Sequence, residues 1–385
     1  MPDPSPARSW TLLRWFVSSG TFGVPQAAGP IAFALVALGL TGDAKGGAAM
    51  MLAMTLAQVA GAIPIVRLTR GLKLATALRL LVALRTVALA GIAVLAMHQA
   101  SFVWLVALAA IAGSVNGAAF GQLRALLTQL VPAGRLPRAL GIAATVNEAT
   151  FVLAPVAASG LGTVSPVFAV LALAALGALP ALLVPHVDAT PGEDAHRAGG
   201  SALSRPMLLW LLCAMAGGAT VASIEIGAVA LALNFGYEPA LAILFTVPLC
   251  LSSVAGGIWV SVRNRMAARR TVVLQLAVMA AGVGLAALNL SVVATIAATI
   301  LIGSVLAPLA TYYSLILDTL APPQRRAEVF ALLRTANACG VIFASAMLSV
   351  VSLSMAMMLV AGLMLVAAAS VGLATAGRGS RPPLV

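Results

Sequence analysis

The sequence predicts an all-α integral membrane protein, with twelve transmembrane helices arranged as two pseudo-symmetric six-helix bundles. Three observations lead there. Of 385 residues, 62% are hydrophobic and only 8% charged. A soluble domain carries about 25% charged residues, so a water-soluble globular protein is excluded. The apolar residues gather into runs of helix length, and twelve spans of about 20 residues with short loops use roughly 300 residues. The basic residues fall at alternate connections between these runs, as expected of loops that resist translocation.

Taken in order, the first half holds spans at Thr11 to Leu40, Gly46 to Val66, Leu72 to Met97, Phe102 to Leu130, Leu136 to Leu161 and Pro166 to Val184. Each is apolar throughout, which excludes the short alternating strands of a membrane barrel. Met1 to Trp10 carries Arg8 and runs into the first span without a small-residue cleavage site, so that span is expected to stay. The one hydrophilic stretch follows, Pro185 to Ser204, with Asp188, Pro191, Gly192, Glu193, Asp194, His196 and Arg197. The second half places spans at Pro206 to Phe235, Pro239 to Val262, Thr271 to Leu288, Val292 to Leu320, Val329 to Val351 and Met355 to Ala376. The organisation expected is a bundle over 1–184, a linker over 185–204 and a bundle over 205–385.

Orientation follows from charge. Arg8 and Arg14, then Arg67, Arg70 and Lys73, then Arg135 and Arg138, then Arg197 and Arg205 occupy one set of connections. Arg263, Arg265, Arg269 and Arg270, then Arg325 and Arg326, then Arg378 and Arg381 continue that set, and the opposite set holds only Lys45. Both termini and the linker are therefore expected to be cytoplasmic, with the chain in a plasma (cytoplasmic or inner) membrane. Scattered in this way, the net charge of +12 marks topology and not a nucleic-acid surface.

The halves repeat. One offset pairs Trp15 with Trp210, Gly23 with Gly218 and Asp43 with Glu238. A slightly shorter one pairs Gly113-Ser114-Val115 with Gly303-Ser304-Val305, Pro132 with Pro322, Arg135 with Arg325, and Thr145 and Asn147 with Thr335 and Asn337. Collinear Trp, Pro, Arg and Asn matches point to duplication of a six-helix unit.

Six plus six helices, a cytoplasmic linker and basic cytoplasmic turns resemble the major facilitator superfamily over nearly the whole chain, which implies a transporter working by alternating access. The family's turn between spans two and three reads G-x-x-x-D-R-x-G-R-R; the stretch Pro64 to Lys73 keeps Gly71 and Lys73 but has Leu68 at the aspartate's place. The antiporter motif of exporting members, G-x8-G-x3-G-P-x-x-G-G, is met in span five by Gly141, Thr150, Ala154, Pro155, Ala158 and Ser159. These are nearly all small, and the proline is kept. Small residues let helices approach closely and Pro frees a backbone carbonyl, both useful where helices rock against each other. In span four, Gly113 stands where drug exporters carry an arginine.

Ionisable groups inside spans cost about 2.5–3.5 kcal/mol each on insertion scales, so they mark partners, cavities or function. Arg85 lies near the middle of span three, Glu148 near the middle of span five and Glu225 at the middle or outer half of span seven; Arg124 and Arg334 lie deeper in from the cytoplasmic side than Asp318. Glu148 shares a helix face with Gly141 and Pro155. A carboxylate whose surroundings alternate between dry and wet loads and releases a proton, so Glu148 and Glu225 are the proton-coupling candidates. Arg85, Arg124 and Arg334 are their charge partners, with Arg85 expected to pair with Glu148, or else counter-charges for an anionic substrate. The family resemblance places spans one, four, seven and ten around a central cavity, which makes Gln26, Asn116, Glu225, Tyr312 and Tyr313 cavity candidates. Against each stands a plain structural reading, interhelical hydrogen bonding.

Other chemistries find no residues. Cys213, Cys250 and Cys339 lie in apolar segments without paired spacing, and His98, His186 and His196 are dispersed, so no metal or cofactor is expected. Gly282 to Ala287 fits a dinucleotide fingerprint but lies inside a span with no strand before it, and no Walker loop exists. Gly113, Gly117 and Gly121 read as close helix packing. The expectation is a monomeric, non-enzymatic secondary transporter for a small molecule, with proton-coupled export leading. Proton-coupled import of a small organic anion is the alternative, and a non-transporting scaffold is the reading from another class.

Overall fold

The computed structural model describes residues 6–42, 45–185 and 204–376. Asp43, Lys45's side chain, most of the polar linker, Arg378 and Arg381 lie outside the described residues, and so do the expectations that rest on them. Every regular element among the described residues is helical. Twelve helices are long and apolar enough to cross a membrane. Spans one to six run Trp10–Thr41, Gly46–Leu68, Leu74–Met97, Phe102–Leu130, Ala133–Val164 and Pro166–Leu183. Spans seven to twelve run Arg205–Asn234, Ile243–Arg263, Arg269–Ala287, Val292–Leu320, Pro323–Val350 and Leu353–Ala374.

Spans five and eleven start earlier than their hydropathy suggests, and by the same device. Each opens on a 3-10 turn, Ala133–Arg135 and Pro323–Arg325, at repeat-related positions. Polar residues at such a start lower the hydropathy without breaking the helix, so a hydropathy window begins late.

Helix pairing repeats as the sequence does. Span one packs on six as seven packs on twelve, three on six as nine on twelve, two on four as eight on ten, and three on four as nine on ten. Between helices in a bilayer there is little hydrophobic drive, because lipid tails are as apolar as the side chains; close backbone approach supplies the attraction instead. Gly113 and Gly303 show this at matched places. A Cβ on Gly113 would stand 2.0 Å from the Met54 carbonyl oxygen, and one on Gly303 would stand 2.3 Å from that of Leu249. Gly117 meets span two at Ala62, whereas Gly121 lies against Ala327 of span eleven. Another matched pair is Gly23 and Gly218, which face the side-chain oxygens of Asn147 and Asn337. Both asparagines therefore serve the packing of the duplicated unit.

Span four is interrupted at Val115 into Phe102–Ser114 and Asn116–Leu130. The break falls where span two comes close: a Cβ on Gly61 would sit 2.3 Å from the Ser114 carbonyl oxygen. Exposed Trp10, Trp104 and Trp259 lie near span ends, as in the aromatic belts of membrane interfaces.

The fold resolves into two compact units. The first contains described residues of Met1–Pro132, Val146–Ala202 and Ala321–Thr335; the second contains those of Ala133–Thr145, Leu203–Leu320 and Ala336–Val385. The first unit has an apolar core that includes Phe33, Met50, Met54, Leu89, Ile92 and Leu105.

Candidate functional site

Within the first unit, polar side chains from five spans meet in the apolar interior. Asn116, the first residue after the break in span four, is their hub. Its Nδ2 donates to Gln26 Oε1 of span one at 2.7 Å and to Gln58 Oε1 of span two at 2.6 Å, and its Oδ1 accepts from Arg85 Nη1 of span three at 3.1 Å. Arg334 of span eleven donates from Nη2 to the same Gln26 oxygen. Of the residues singled out in the sequence, Gln26, Arg85, Asn116 and Arg334 are thus brought together. Gln58 joins them unannounced.

Arg85 is 1% exposed. Besides Asn116 it donates to the Phe22 carbonyl at 3.1 Å and the Gly177 carbonyl at 2.9 Å, and its guanidinium lies 4.3 Å from the Phe22 ring centroid. These neutral acceptors, and not the Glu148 carboxylate, hold the guanidinium, which corrects the expected ion pair. The physical reason is that a guanidinium offers five donors in a fixed fork, and backbone carbonyls at the right angles satisfy it without a counter-ion. Among the described residues its hydrogen-bond partners are all neutral.

Phe120, one turn beyond Asn116, faces Arg334 and one further cation, Arg124. Arg124 stands 5.7 Å and Arg334 5.4 Å from its ring centroid, within the range of cation–π attraction. The nitrogens left without a partner in the hub are Gln58 Nε2, Arg85 Nε and Arg334 Nε. All three are donors, so what the cluster lacks is an acceptor.

This site breaks the duplication. By the repeat offsets, Gln26, Gln58, Arg85 and Asn116 correspond to Val221, Ser253, Ala280 and Leu306. Only Gln58 meets a polar residue at its counterpart, Ser253; Gln26, Arg85 and Asn116 have apolar counterparts, so the hub is not a copy of the duplicated scaffold.

The remaining candidates lie elsewhere. Glu148 is half-buried in span five and engaged by a partner. Glu225 belongs to the second unit, where it is exposed on a stripe of span seven with Ile226, Val229 and Leu233. Tyr312 and Tyr313 are buried against Trp210, with ring centroids 5.1 and 6.3 Å from it, and Arg269 lies 5.9 Å from the Trp210 ring. Both rings thus pack on that tryptophan, and the Tyr313 hydroxyl is buried without a hydrogen-bond partner among the described residues. Along the antiporter-like motif, Gly141 is buried beside Gly257 and Ser261 of span eight, Thr150 donates to Val146 O at 2.9 Å and Gly20 O at 3.3 Å, Ala154 and Ala158 are buried, Pro155 is half-buried and Ser159 exposed.

A second polar contact was not legible. Glu328, at the start of span eleven, is 2% exposed and forms ion pairs with Arg70, in the turn after span two, at 2.6 Å and with Arg67, in the last turn of span two, at 3.3 Å. The family motif places an aspartate in that turn; here the acid sits on the opposite helix. The available signal was a lone acid just after Arg325 and Arg326.

No curated protein matches the sequence. Among solved structures, a bacterial homologue of the iron transporter ferroportin in an outward-facing state is 15% identical, with 97% of this chain and 99% of that chain covered and a TM-score of 0.75. The human organic anion transporter TETRAN is 13% identical (96% and 100% covered, TM-score 0.72), and the E. coli fucose:proton symporter is 13% identical (95% and 98% covered, TM-score 0.72). At these identities the likeness is one of fold. The sequence profile of the Major Facilitator Superfamily matches residues 12–345, and with the duplicated helices and their common fold, the chain belongs to that superfamily.

Proposed function

We propose that the protein is a secondary active transporter that moves a small organic anion by proton-linked alternating access, with both termini cytoplasmic and the plasma membrane as its site. The observation that carries the substrate charge is the hub of Arg85 and Arg334, two guanidiniums in the membrane interior whose hydrogen-bond partners are all neutral. An unneutralised buried charge is costly, and an anion that enters the cluster supplies both the missing charge and the acceptor for its idle donors. TETRAN, of the same fold, is an organic anion transporter, which agrees with this reading.

The contact of Glu328 with Arg67 and Arg70 joins the start of span eleven to the end of span two and the turn after it, linking the two sequence halves within the first unit. Glu148 is the proton carrier in this scheme, as a half-buried carboxylate on the span-five face that also carries Gly141. Export is favoured because that face retains the small-residue packing of the antiporter motif, with Gly141 against Gly257.

The test is flux in proteoliposomes under an imposed pH gradient. Proton-linked export by exchange drives the anion toward the acidic compartment, and Glu148→Gln abolishes the gradient's effect while leaving anion exchange. Movement away from the acidic side would assign symport instead.

A further inference from the structure

A second feature of the first unit lies apart from the polar hub. Spans one, five and six enclose a groove of about 410 Å³, walled by Phe16, Val17, Thr21, Leu153, Ala157 and Leu176 among others. Leu153 is 65% and Val17 41% exposed, so in a bilayer the groove opens to lipid. Its two hydroxyls are spent on backbone carbonyls, Thr21 Oγ1 on Val17 O at 2.8 Å and Thr150 Oγ1 on Val146 O at 2.9 Å and Gly20 O at 3.3 Å. What remains on the walls is hydrocarbon, and the occupant must be hydrocarbon too.

One end of the groove is charged. Trp10, Arg14, Val17 and Thr21 recur at spacings of four, three and four residues, so they share one face of span one. Arg14 Nε donates to the Leu183 carbonyl at the end of span six at 3.0 Å, which fixes the guanidinium where spans one and six meet. Its terminal nitrogens make no hydrogen bond to the described residues. Trp10, one turn further out, is 63% exposed, as suits an interfacial anchor. Arg79 caps the same end, with Nη2 donating to the Val184 carbonyl at 2.9 Å.

We infer that this groove is a binding site for an anionic phospholipid, with one acyl chain lying between spans one, five and six and the phosphate held by Arg14. A cation at the interface end and a dry slot running from it into the membrane match the two parts of that molecule. The site is independent of the transported substrate, which meets its polar partners at Asn116.

Photo-crosslinking tests it on the full-length protein in nanodiscs. The probes are phosphatidylglycerol and phosphatidylcholine, each bearing a diazirine on one acyl chain, and adducts are mapped by peptide mass. Adducts are expected on the peptides holding Val17, Leu153 and Leu176, with phosphatidylglycerol preferred about fivefold, the worth of one arginine at a charged interface. Arg14→Gln should remove the preference and Arg14→Lys keep it, while Ala157→Phe should cut groove adducts of both lipids several-fold. Adducts spread evenly over all spans, equal labelling by the two lipids, or Arg14→Gln leaving the preference intact would each overturn the proposal. The first two comparisons use the unaltered protein, so a variant that fails to fold does not blunt the test.

Discussion

Asn116 and Arg85 show how few residues set the interior chemistry. Replacing Asn116 with Leu, the residue at its repeat-related position, removes one acceptor and two donated bonds at once, and it leaves Arg85, Gln26 and Gln58 short of partners. Each buried group so orphaned costs about 1–3 kcal/mol. Asn116→Leu is therefore expected to lower the thermal midpoint markedly in detergent, whereas Asn116→Gln should recover part of it. A midpoint unchanged by Leu would show that the hub is not formed. Arg85→Ala has a different expectation. It orphans the Phe22 and Gly177 carbonyls but also relieves the desolvation of a charge, and these oppose each other. Stability is expected to change little while affinity for anions falls tenfold or more. Adding Glu148→Gln should give no rescue in a double-mutant cycle, because Arg85 is not held by that carboxylate. Rescue of stability by the second change would restore the ion pair as the better account.

Among the elements, the contact between span eleven and the turn after span two has unequal parts. Arg67 is largely exposed and its pair with Glu328 is the longer, so solvent screening limits it to less than about 1 kcal/mol. Arg70 is two-thirds buried and closer. Arg70→Ala is thus expected to loosen this end more than Arg67→Ala, and Glu328→Gln to act as strongly as both together. Spin-label distances between the turn and span eleven would show it as a larger share of long distances; identical distributions in all three variants would contradict it. The helix pairs bear a second expectation. Gly113→Val and Gly303→Val force a side chain onto a neighbouring backbone, and overpacking of that kind costs about 1–3 kcal/mol. Gly284, where a Cβ meets nothing within 4 Å, should accept alanine freely.

For the molecule as a whole, the fold was legible because a bilayer demands long, uniformly apolar helices, and Trp15, Gly23 and Asn147 recur in order in the second half. The helix pairing followed from that duplication. The site was legible in part, since Gln26, Arg85, Asn116 and Arg334 are polar in spans that otherwise exclude polarity. Their partners were not. Arg85 chose the carbonyls of Phe22 and Gly177, and every residue carries a carbonyl, so residue type gives no sign of which one is presented. Glu328 escaped because it sits at a helix start, where a charged residue looks like ordinary solvent exposure until the facing turn is known. For Tyr312 and Tyr313 the contact with Trp210 was not legible, because a tyrosine in a span fits packing and ligand binding equally well.

The cluster around Arg85 and Arg334 is proposed to recognise negative charge in a transported molecule. The most direct measurement of this is uptake into proteoliposomes of radiolabelled monocarboxylates, dicarboxylates and aromatic sulfonates, beside amines and sugars of matched size, by the unaltered protein and by Arg85→Ala. Saturable movement of at least one anion, absent for the neutral and cationic probes and reduced tenfold or more by Arg85→Ala, is the expected result. Transport of an amine or a sugar that is indifferent to Arg85→Ala, with no anion moved, would contradict it.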